Sequence, residues 1–325
     1  MERVKFRFLD IPIIRSCNLN CRGCLTFSDS KHVKGLVNLD ESLSWLTVWA
    51  EKIEPDIVTV FGGEPLLHPR FVDWCKTIRK LWPNCELRIN TNGYYLDRLL
   101  TNIPDLFNLD IRPQFIVSIQ TGHDPYYSVV KNHIENLKAD ILTSVKAQYP
   151  NENIRWNLWL DEPDLFKQWW CVEINGNDSN IRITITEQFN QAWQAHYSGF
   201  ESSLKPFYKY DDIHFVENHK WCQARNFVNL YKGNLYKCPT TAVLQNTLET
   251  FNLTSDPDWE EYLNNYNSIN FSADVEQIKN WLDTQEKPEQ VCNMCGFTGP
   301  KWQNGHLNRH ELKENWNYQV IGIKS

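Results

Sequence analysis

The chain has 325 residues, of which 42% are hydrophobic, 13% aromatic and 22% charged, a composition typical of globular proteins that fold as one large or two modest domains. Its net charge of −7 excludes a polyanion-coating surface and disfavours large nucleic acids as partners. It has no signal-peptide pattern and no run of about 18 apolar residues, so we predict a cytoplasmic protein without membrane contact.

The first two-thirds of the chain alternates strand and helix patterns. The predicted strands are Val4–Ile14 and residues 56–61, 86–90, 115–119, 154–160 and 181–185. The first connecting helix is expected to begin at the cap residue Asn38, with Leu43, Leu46, Ala50 and Ile53 on its apolar face. Repeated βα units with right-handed crossovers predict a parallel sheet that curls into a partial (βα)6 TIM-like barrel, an α/β fold.

After about residue 200 the alternation stops. Residues 226–231 and 234–237 flank a Lys232-Gly233 turn and predict a β-hairpin. Two helices are expected at 256–266 and 275–284, the first with Asp256 as its cap and Pro257 as its first residue. This unit holds little continuous apolar sequence, so we expect something other than a large core to stabilise it. The predicted domains are therefore residues 1–200 and residues 201–325.

The ten cysteines, in a chain with no export signal, indicate metal ligands, reactive thiols or buried filler rather than disulfides. Three of them stand alone and are predicted to fill the core: Cys75, Cys85 and Cys171. Cys17, Cys21 and Cys24 form a C-x3-C-x2-C pattern directly after the first strand. Three thiolates could hold a 4Fe–4S cluster with one iron left open to a small molecule, and a zinc site completed from elsewhere in the chain is the alternative.

The C-x3-C-x2-C pattern after the first strand resembles the signature of the radical SAM superfamily, and Gly62-Gly63-Glu64-Pro65 at the end of the second strand resembles its GGEP motif. The resemblance implies that Cys17, Cys21 and Cys24 hold a 4Fe–4S cluster whose fourth iron is chelated by S-adenosylmethionine. It implies that Gly62, Gly63 and Glu64 bind the methionine amino group. It also implies cofactor contacts at Asn92 and Ser118, for which simple turn chemistry is the alternative.

One residue departs from the family pattern. The family usually has an aromatic residue before the third cysteine and uses its main-chain carbonyl to meet the adenine; here that residue is Gly23. Glycine still provides the carbonyl, so Gly23 stays a predicted cofactor contact. Phe27 is the candidate that replaces the missing ring.

Four further cysteines surround the predicted hairpin. Cys222 and Cys238 form C-x10-G-x4-C around Gly233, and Cys292 and Cys295 form C-x2-C. This arrangement resembles the twitch domain, the short form of the SPASM extension of some radical SAM enzymes, in which four such cysteines bind an auxiliary 4Fe–4S cluster. A zinc knuckle with the same ligands is the alternative. No cysteine follows Cys295, which favours one auxiliary cluster rather than two.

The resemblance implies reductive cleavage of S-adenosylmethionine to methionine and a 5′-deoxyadenosyl radical, which abstracts hydrogen from a substrate. Our first hypothesis is a net oxidation, with the auxiliary cluster accepting the second electron and a flavodoxin or ferredoxin as electron donor. The substrate is an unidentified small molecule or peptide. Candidate substrate contacts at the later strand ends are Asn157, Glu187, Gln188 and Asn190. The alternatives are an epimerase with Cys171 as its thiol, a peptide cross-linking enzyme, and a zinc-stabilised binding protein without catalysis.

Overall fold

A computed structural model describes residues 3–19, 21, 24–102, 106, 113–120, 125–162, 167–176, 184–189, 196–222 and 224–296. The strands are β1 (Val4–Ile14), β2 (Ile53–Gly62), β3 (Glu86–Thr91), β4 (Gln114–Ile119), β5 (Ile154–Glu162), β6 (Lys167–Ile174), β7 (Thr184–Phe189), β8 (Val228–Tyr231), β9 (Asn234–Tyr236) and β10 (Ile269–Asn270). The α-helices are α1 (Leu39–Lys52), α2 (Phe71–Leu81), α3 (Tyr126–Gln148), α4 (Phe215–Trp221), α5 (Pro239–Thr250), α6 (Pro257–Asn264) and α7 (Val275–Leu282).

The described strands form one sheet in the order β10-β9-β8-β1-β2-β3-β4-β7-β6-β5. Strands β1 to β4, together with β7 and β8, pair in parallel. The protein is therefore a mixed α/β fold with a large parallel sheet, and the first four predicted strands are confirmed. The carboxyl ends of β1 to β4 lie at one edge of this sheet, where a parallel sheet places its binding sites. Closure into a partial barrel stays a prediction.

The second half of the sheet differs from the predicted parallel order. Strand β5 is present, but it lies at the far edge and pairs antiparallel with β6, which the sequence analysis did not identify. Only four residues separate β5 from β6, too few for a parallel crossover, which needs a dozen or more. The strand that pairs in parallel with β4 is β7. Part of the predicted strand 181–185, residues 181–183, lies outside the described residues.

The two faces of the parallel strands carry different side chains, because successive residues of a strand point to opposite faces. One face contributes fully buried apolar side chains to a core that also contains Trp49 of α1 and Trp74 of α2. The opposite face carries a polar row in register across five strands, Asn229, Asp10, Thr59, Arg88 and Gln114. Burial raises the pKa of the Asp10 carboxyl to about 7, because an ionised carboxylate loses its hydration there.

Helix α1 begins as its sequence predicts. The Asn38 side chain accepts hydrogen bonds from the main-chain amides of Asp40 and Glu41, which satisfies free N–H groups of the first turn. Its buried face includes Leu46 and Trp49, whereas Leu43, expected on the apolar face, is 41% exposed. The Trp49 indole donates a 2.9 Å hydrogen bond to the Gly233 carbonyl and so attaches α1 to the hairpin turn.

The predicted hairpin is confirmed as β8 and β9, with Lys232 and Gly233 both at positive φ in the turn. Asp256 caps α6 as expected, through a hydrogen bond from the Asp258 amide. The expectation that this part of the chain lacks a large core is wrong. Its buried apolar side chains belong to the same cluster as those of the N-terminal strands: Leu230, Leu235, Val243, Trp259 and Ile278. The boundary at residue 200 stays a prediction.

The isolated cysteines were predicted to be buried, and the chain was predicted to make no membrane contact. Cys75, Cys85 and Cys171 are all buried, which confirms their place in the core. Among the residues that the structure describes, no helix has the length and apolarity needed to cross a membrane.

Candidate functional site

The two glycines at the end of β2 allow its main chain to touch the segment that leads into the first cysteine. A Cβ on Gly62 would lie 2.1 Å from the Ile14 carbonyl oxygen, and one on Gly63 would lie 2.2 Å from the Ser16 carbonyl oxygen. The Gly63 and Glu64 amides donate to these same carbonyls at 2.9 and 3.0 Å. Only glycine permits so close an approach, so this turn positions the chain immediately before Cys17.

The Glu64 side chain joins the end of β2 to the end of β3. It is fully buried, and its carboxylate accepts hydrogen bonds from the Leu66 amide (3.0 Å), the Thr91 hydroxyl (2.8 Å) and the Asn92 amide (2.8 Å). Burial raises its pKa to about 7, against the lowering effect of these three donors. A carboxylate has about four acceptor positions. Donors of the chain itself occupy three of these positions, and about one position stays open to another donor.

Asn92, directly after β3, reaches the first cysteine. Its Nδ2 donates to Asn18 Oδ1 at 2.8 Å and lies 3.8 Å from Cys17 Sγ. Its main-chain carbonyl accepts a 2.6 Å hydrogen bond from the Tyr126 hydroxyl at the start of α3. The predicted residues Glu64 and Asn92 therefore lie beside Cys17, each held by several hydrogen bonds.

Cys17, Cys21 and Cys24 are half-buried and close enough together that their charges repel. Burial is the main cause that raises the pKa of each thiol, and the neighbouring thiolates add to the effect at Cys21. Thr26 Oγ1 lies 3.4 Å from Cys24 Sγ and 3.4 Å from the Gly62 carbonyl oxygen, to which it donates. A cationic iron centre would remove the cost of three adjacent buried thiolates, so these residues fit the predicted cluster.

The position of Phe27 does not favour an adenine contact. The ring is buried and stacks on Tyr197 with 4.4 Å between centroids. Tyr197 in turn donates to Asp29 Oδ2 at 2.9 Å and to the Cys24 carbonyl at 3.4 Å. Phe27 thus packs beneath the cysteine loop, although its role toward the cofactor stays a prediction.

The remaining predicted contacts are placed only in part. Ser118 lies half-buried near the end of β4, in register with Gln188 of β7. Asn157 donates to Glu173 at 2.9 Å and pairs in register with Cys171. Gly23 and Asn190 lie outside the described residues, as do the side chains of Glu187 and Gln188.

The four later cysteines converge on one cavity. Cys222 follows α4, Cys238 caps the start of α5, and Cys292 and Cys295 flank the end of a short 3-10 helix. Burial raises the pKa of all four thiols, and charge repulsion from the other three contributes at Cys295. Cysteines more than 70 residues apart in the sequence thus line one cavity. Four thiols are a donor set that suits a thiolate-bound inorganic group.

Three of the further side chains that line this cavity are His196, Lys237 and Asn218. His196 Nδ1 lies 3.2 Å from Cys295 Sγ, and burial lowers the pKa of this histidine to about 4. Lys237 forms a close ion pair with Glu289, and burial lowers the pKa of this lysine to about 8. Asn218 Nδ2 donates to the carbonyls of Cys292 and Cys295 at 3.0 and 2.7 Å.

The two cysteine sets are linked through α5, which begins beside Cys238. Thr240 Oγ1 donates a 3.0 Å hydrogen bond to the Leu25 carbonyl, one residue past Cys24. Arg15 Nη2 donates to Thr247 at 2.6 Å and to the Thr26 carbonyl at 3.4 Å. The segments that carry the two sets are therefore in direct contact.

Several residues of these sites were not identified from the sequence. They are Asn18, Thr26, Thr240, Lys237 and His196. Asn18, Thr26, Thr240 and Lys237 lie within two residues of a cysteine, a proximity that could have singled them out. His196 lies 99 residues from Cys295, and no local pattern marks it.

The family model described as the Radical SAM superfamily matches residues 11–147. The match runs from β1 through nearly all of α3 and includes the first three cysteines and the Gly62–Glu64 turn. These residues form a radical SAM domain. The twitch domain lies outside the matched region and stays a prediction.

Curated relatives are similar to part of this chain. A GTP 3′,8-cyclase of Microcystis aeruginosa is 33% identical over 95 residues, 28% of this chain and 29% of that protein. A tungsten-containing aldehyde ferredoxin oxidoreductase cofactor-modifying protein of Pyrococcus furiosus is 31% identical over 126 residues, 36% of this chain and 34% of that protein. A GTP 3′,8-cyclase of Clostridium perfringens is 29% identical over 159 residues, 45% and 49% of the two chains. The chain thus spans less than half the length of each.

Among solved structures, BtrN in complex with AdoMet and 2-DOIA is similar over 92% of this chain and 95% of that chain, with 13% sequence identity and a TM-score of 0.45. Native anSMEcpe with bound AdoMet and a Cp18Cys peptide covers 42% of this chain and 40% of that chain, with 17% identity and a TM-score of 0.31.

Proposed function

We propose that this protein is a radical SAM oxidoreductase that carries two 4Fe–4S clusters and performs a net oxidation of a small molecule or peptide. The observation that carries the proposal is the convergence of Cys222, Cys238, Cys292 and Cys295 on one cavity in a chain whose residues 11–147 form a radical SAM domain. The substrate is unassigned, since the curated relatives are named for different activities.

Cys17, Cys21 and Cys24 are the residues that would hold the first cluster and leave one iron for S-adenosylmethionine. When bound there, the cluster and S-adenosylmethionine supply one-electron cleavage of the sulfonium bond and abstraction of hydrogen from a C–H bond. The protein's own task is to bind and orient these groups and to exclude water.

Hydrogen bonds among the chain's own residues hold the region around Cys17 in place for that task. The Gly62–Glu64 turn is hydrogen-bonded to the segment before Cys17, and the Glu64 carboxylate holds the start of the loop after β3. Asn92 then reaches from that loop to Cys17 and Asn18. Because Glu64 and Asn92 are buried and each makes several hydrogen bonds, the cysteine loop would be preorganised for the cofactor.

The auxiliary cavity would supply the second electron acceptor that an oxidation requires. A cluster ligated by four thiolates has no vacant iron for substrate, so electron transfer is the chemistry that suits it. The contact of α5 with the loop after Cys24, through Thr240 and Leu25, supports electron passage between the two sites. A flavodoxin or ferredoxin is our proposed donor.

Ligand spacing also bears on the zinc alternative. No group of three or more His, Cys, Asp or Glu side chains among the described residues is arranged to hold a single metal ion. A zinc ion draws four thiolates to about 2.3 Å from one point, whereas each thiolate of a cube binds a different iron and stands farther from the others. Four thiolates suit a cluster and a zinc ion alike, so metal analysis separates the two alternatives.

The test is anaerobic reconstitution with iron and sulfide, followed by iron analysis and absorption spectroscopy. We expect about eight iron per chain with absorbance near about 400 nm, as two 4Fe–4S clusters require. Replacing Cys17, Cys21 and Cys24 with alanine should remove about half of the iron, and replacing Cys222, Cys238, Cys292 and Cys295 should remove the other half. A colourless protein that binds zinc at the second set would contradict the proposal.

A further inference from the structure

The auxiliary cavity contains a histidine to which the proposed function gives no role. His196 is 4% exposed and lines the same cavity as the four cysteines. Its Nδ1 lies 3.2 Å from Cys295 Sγ, and among the described residues its Nε2 has no hydrogen-bond partner. A buried polar nitrogen without a partner destabilises the fold, so an apolar side chain would fill this space at lower cost. Its contact with Cys295 is the feature that an apolar side chain could not provide.

We propose that His196 Nδ1 donates a hydrogen bond to the Cys295 thiolate and thereby raises the reduction potential of the cluster in the auxiliary site. This inference rests on the proposed function, which places that cluster there. A thiolate bound to iron carries no proton and can only accept a hydrogen bond. The proton between these two atoms therefore belongs to His196 Nδ1.

The direction of the effect follows from charge. Reduction adds one negative charge to the cluster and its sulfur ligands, and a donor aimed at a sulfur stabilises that charge. Hydrogen bonds to the sulfur atoms are among the factors that set the potential of iron–sulfur clusters. In a buried site the effect is larger than at a surface, because little water competes for the sulfur.

The position of Cys295 does not depend on His196. Asn218 Nδ2 holds the carbonyls of both Cys292 and Cys295, and the Cys295 amide donates to the Cys292 carbonyl. Removing the imidazole should therefore leave the ligand in place while it removes the donor. The role of His196 can therefore be measured by potential rather than by stability.

The experiment compares reconstituted full-length protein with three variants in a redox titration followed by electron paramagnetic resonance. His196→Leu removes the donor, and His196→Asn keeps an N–H near the position of Nδ1. His219→Leu is the matched control, because His219 lines the same cavity but its ring interacts with the Gln285 main chain. The auxiliary signal is the one that persists when Cys17, Cys21 and Cys24 are replaced with alanine.

We expect His196→Leu to lower the reduced-to-oxidised ratio of the auxiliary cluster about tenfold at a fixed potential, equivalent to about 59 mV for one electron. His196→Asn and His219→Leu should stay near the wild-type ratio. If His196→Leu loses its iron, retention of iron and potential by His196→Asn still supports the donor role.

Three results would overturn the inference: an unchanged potential in His196→Leu with full iron content, a loss of iron in both His196 variants, or an equal shift in His219→Leu. Wild-type protein with about four iron and no auxiliary signal would instead contradict the proposed function, and this inference with it.

Discussion

Thr240 Oγ1 donates a 3.0 Å hydrogen bond to the main-chain carbonyl of Leu25, and this contact joins the loop of the first cysteine set to the helix that begins at the second set. Thr240 lies two residues past Cys238 and is fully buried. The two candidate cluster sites are therefore attached to each other by a hydrogen bond close in sequence to a cysteine of each set.

Replacing Thr240 with valine tests this attachment with almost no change in volume. The partly buried Leu25 carbonyl would lose its donor, so we expect the free energy of unfolding to fall by about 1–3 kcal/mol. Chemical denaturation measures the change. Thr250→Val is the control, because Thr250 is exposed at the end of the same helix and its hydroxyl donates to the Asn246 carbonyl; it should change stability by less than about 0.5 kcal/mol. Equal effects in the two variants would contradict the link.

Replacing Glu64 with alanine tests the hydrogen bonds that hold the region around Cys17 in place. The buried Thr91 hydroxyl and the Asn92 amide would lose their acceptor, so we expect a loss of about 2–5 kcal/mol in the free energy of unfolding. Glu41→Ala, at an exposed cap of α1, should cost about 1 kcal/mol at most. If Glu64→Ala binds S-adenosylmethionine poorly while its stability is unchanged, Glu64 is a cofactor contact rather than a structural link.

Replacing Gly63 with alanine tests the close approach of the turn to the cysteine loop. The new Cβ would meet the Ser16 carbonyl oxygen at 2.2 Å, so the segment before Cys17 must move and the first cluster should be lost. The matched control is Gly176→Ala, which has positive φ but no atom within 4 Å of its Cβ and should cost only about 1–2 kcal/mol of strain. Iron content after reconstitution separates them, and full iron content in Gly63→Ala would contradict this account.

Replacing Asp10 with asparagine tests its raised pKa. The pKa of the carboxyl is 3.8 in its ordinary state and about 7 in the fold, so between these pH values the folded state alone holds the proton. Stability must then fall as pH rises from about 4 to about 7, by up to about 4 kcal/mol. Asp10→Asn should flatten this part of the curve of unfolding free energy against pH. Parallel curves for wild type and Asp10→Asn would show that Asp10 ionises normally.

The sequence was most informative about features that depend only on neighbouring residues. Asn38 and Asp256 cap their helices because side-chain oxygens at these positions satisfy free amides, which is a local effect. The Lys232-Gly233 turn is similarly local, since both residues adopt positive φ. Strands β1 to β4 were predictable because each ends at a turn and is followed by a helical stripe.

The sequence was least informative where the structure depends on distant pairing. Strand β6 contains Trp169 and Trp170 and pairs antiparallel with both β5 and β7. No helix pattern in the sequence indicates this arrangement. The contact between His196 and Cys295 joins residues 99 positions apart. The three donors to Glu64 include Thr91 and Asn92, 27 and 28 positions away, so its link between two strands required the fold.

The most direct test of the central claim is reduction of the reconstituted protein with dithionite in the presence of S-adenosylmethionine, with products separated by chromatography. Wild-type protein should release 5′-deoxyadenosine and methionine, and protein with Cys17, Cys21 and Cys24 replaced by alanine should release neither. Protein that binds its full complement of iron and S-adenosylmethionine but forms no 5′-deoxyadenosine would contradict the account.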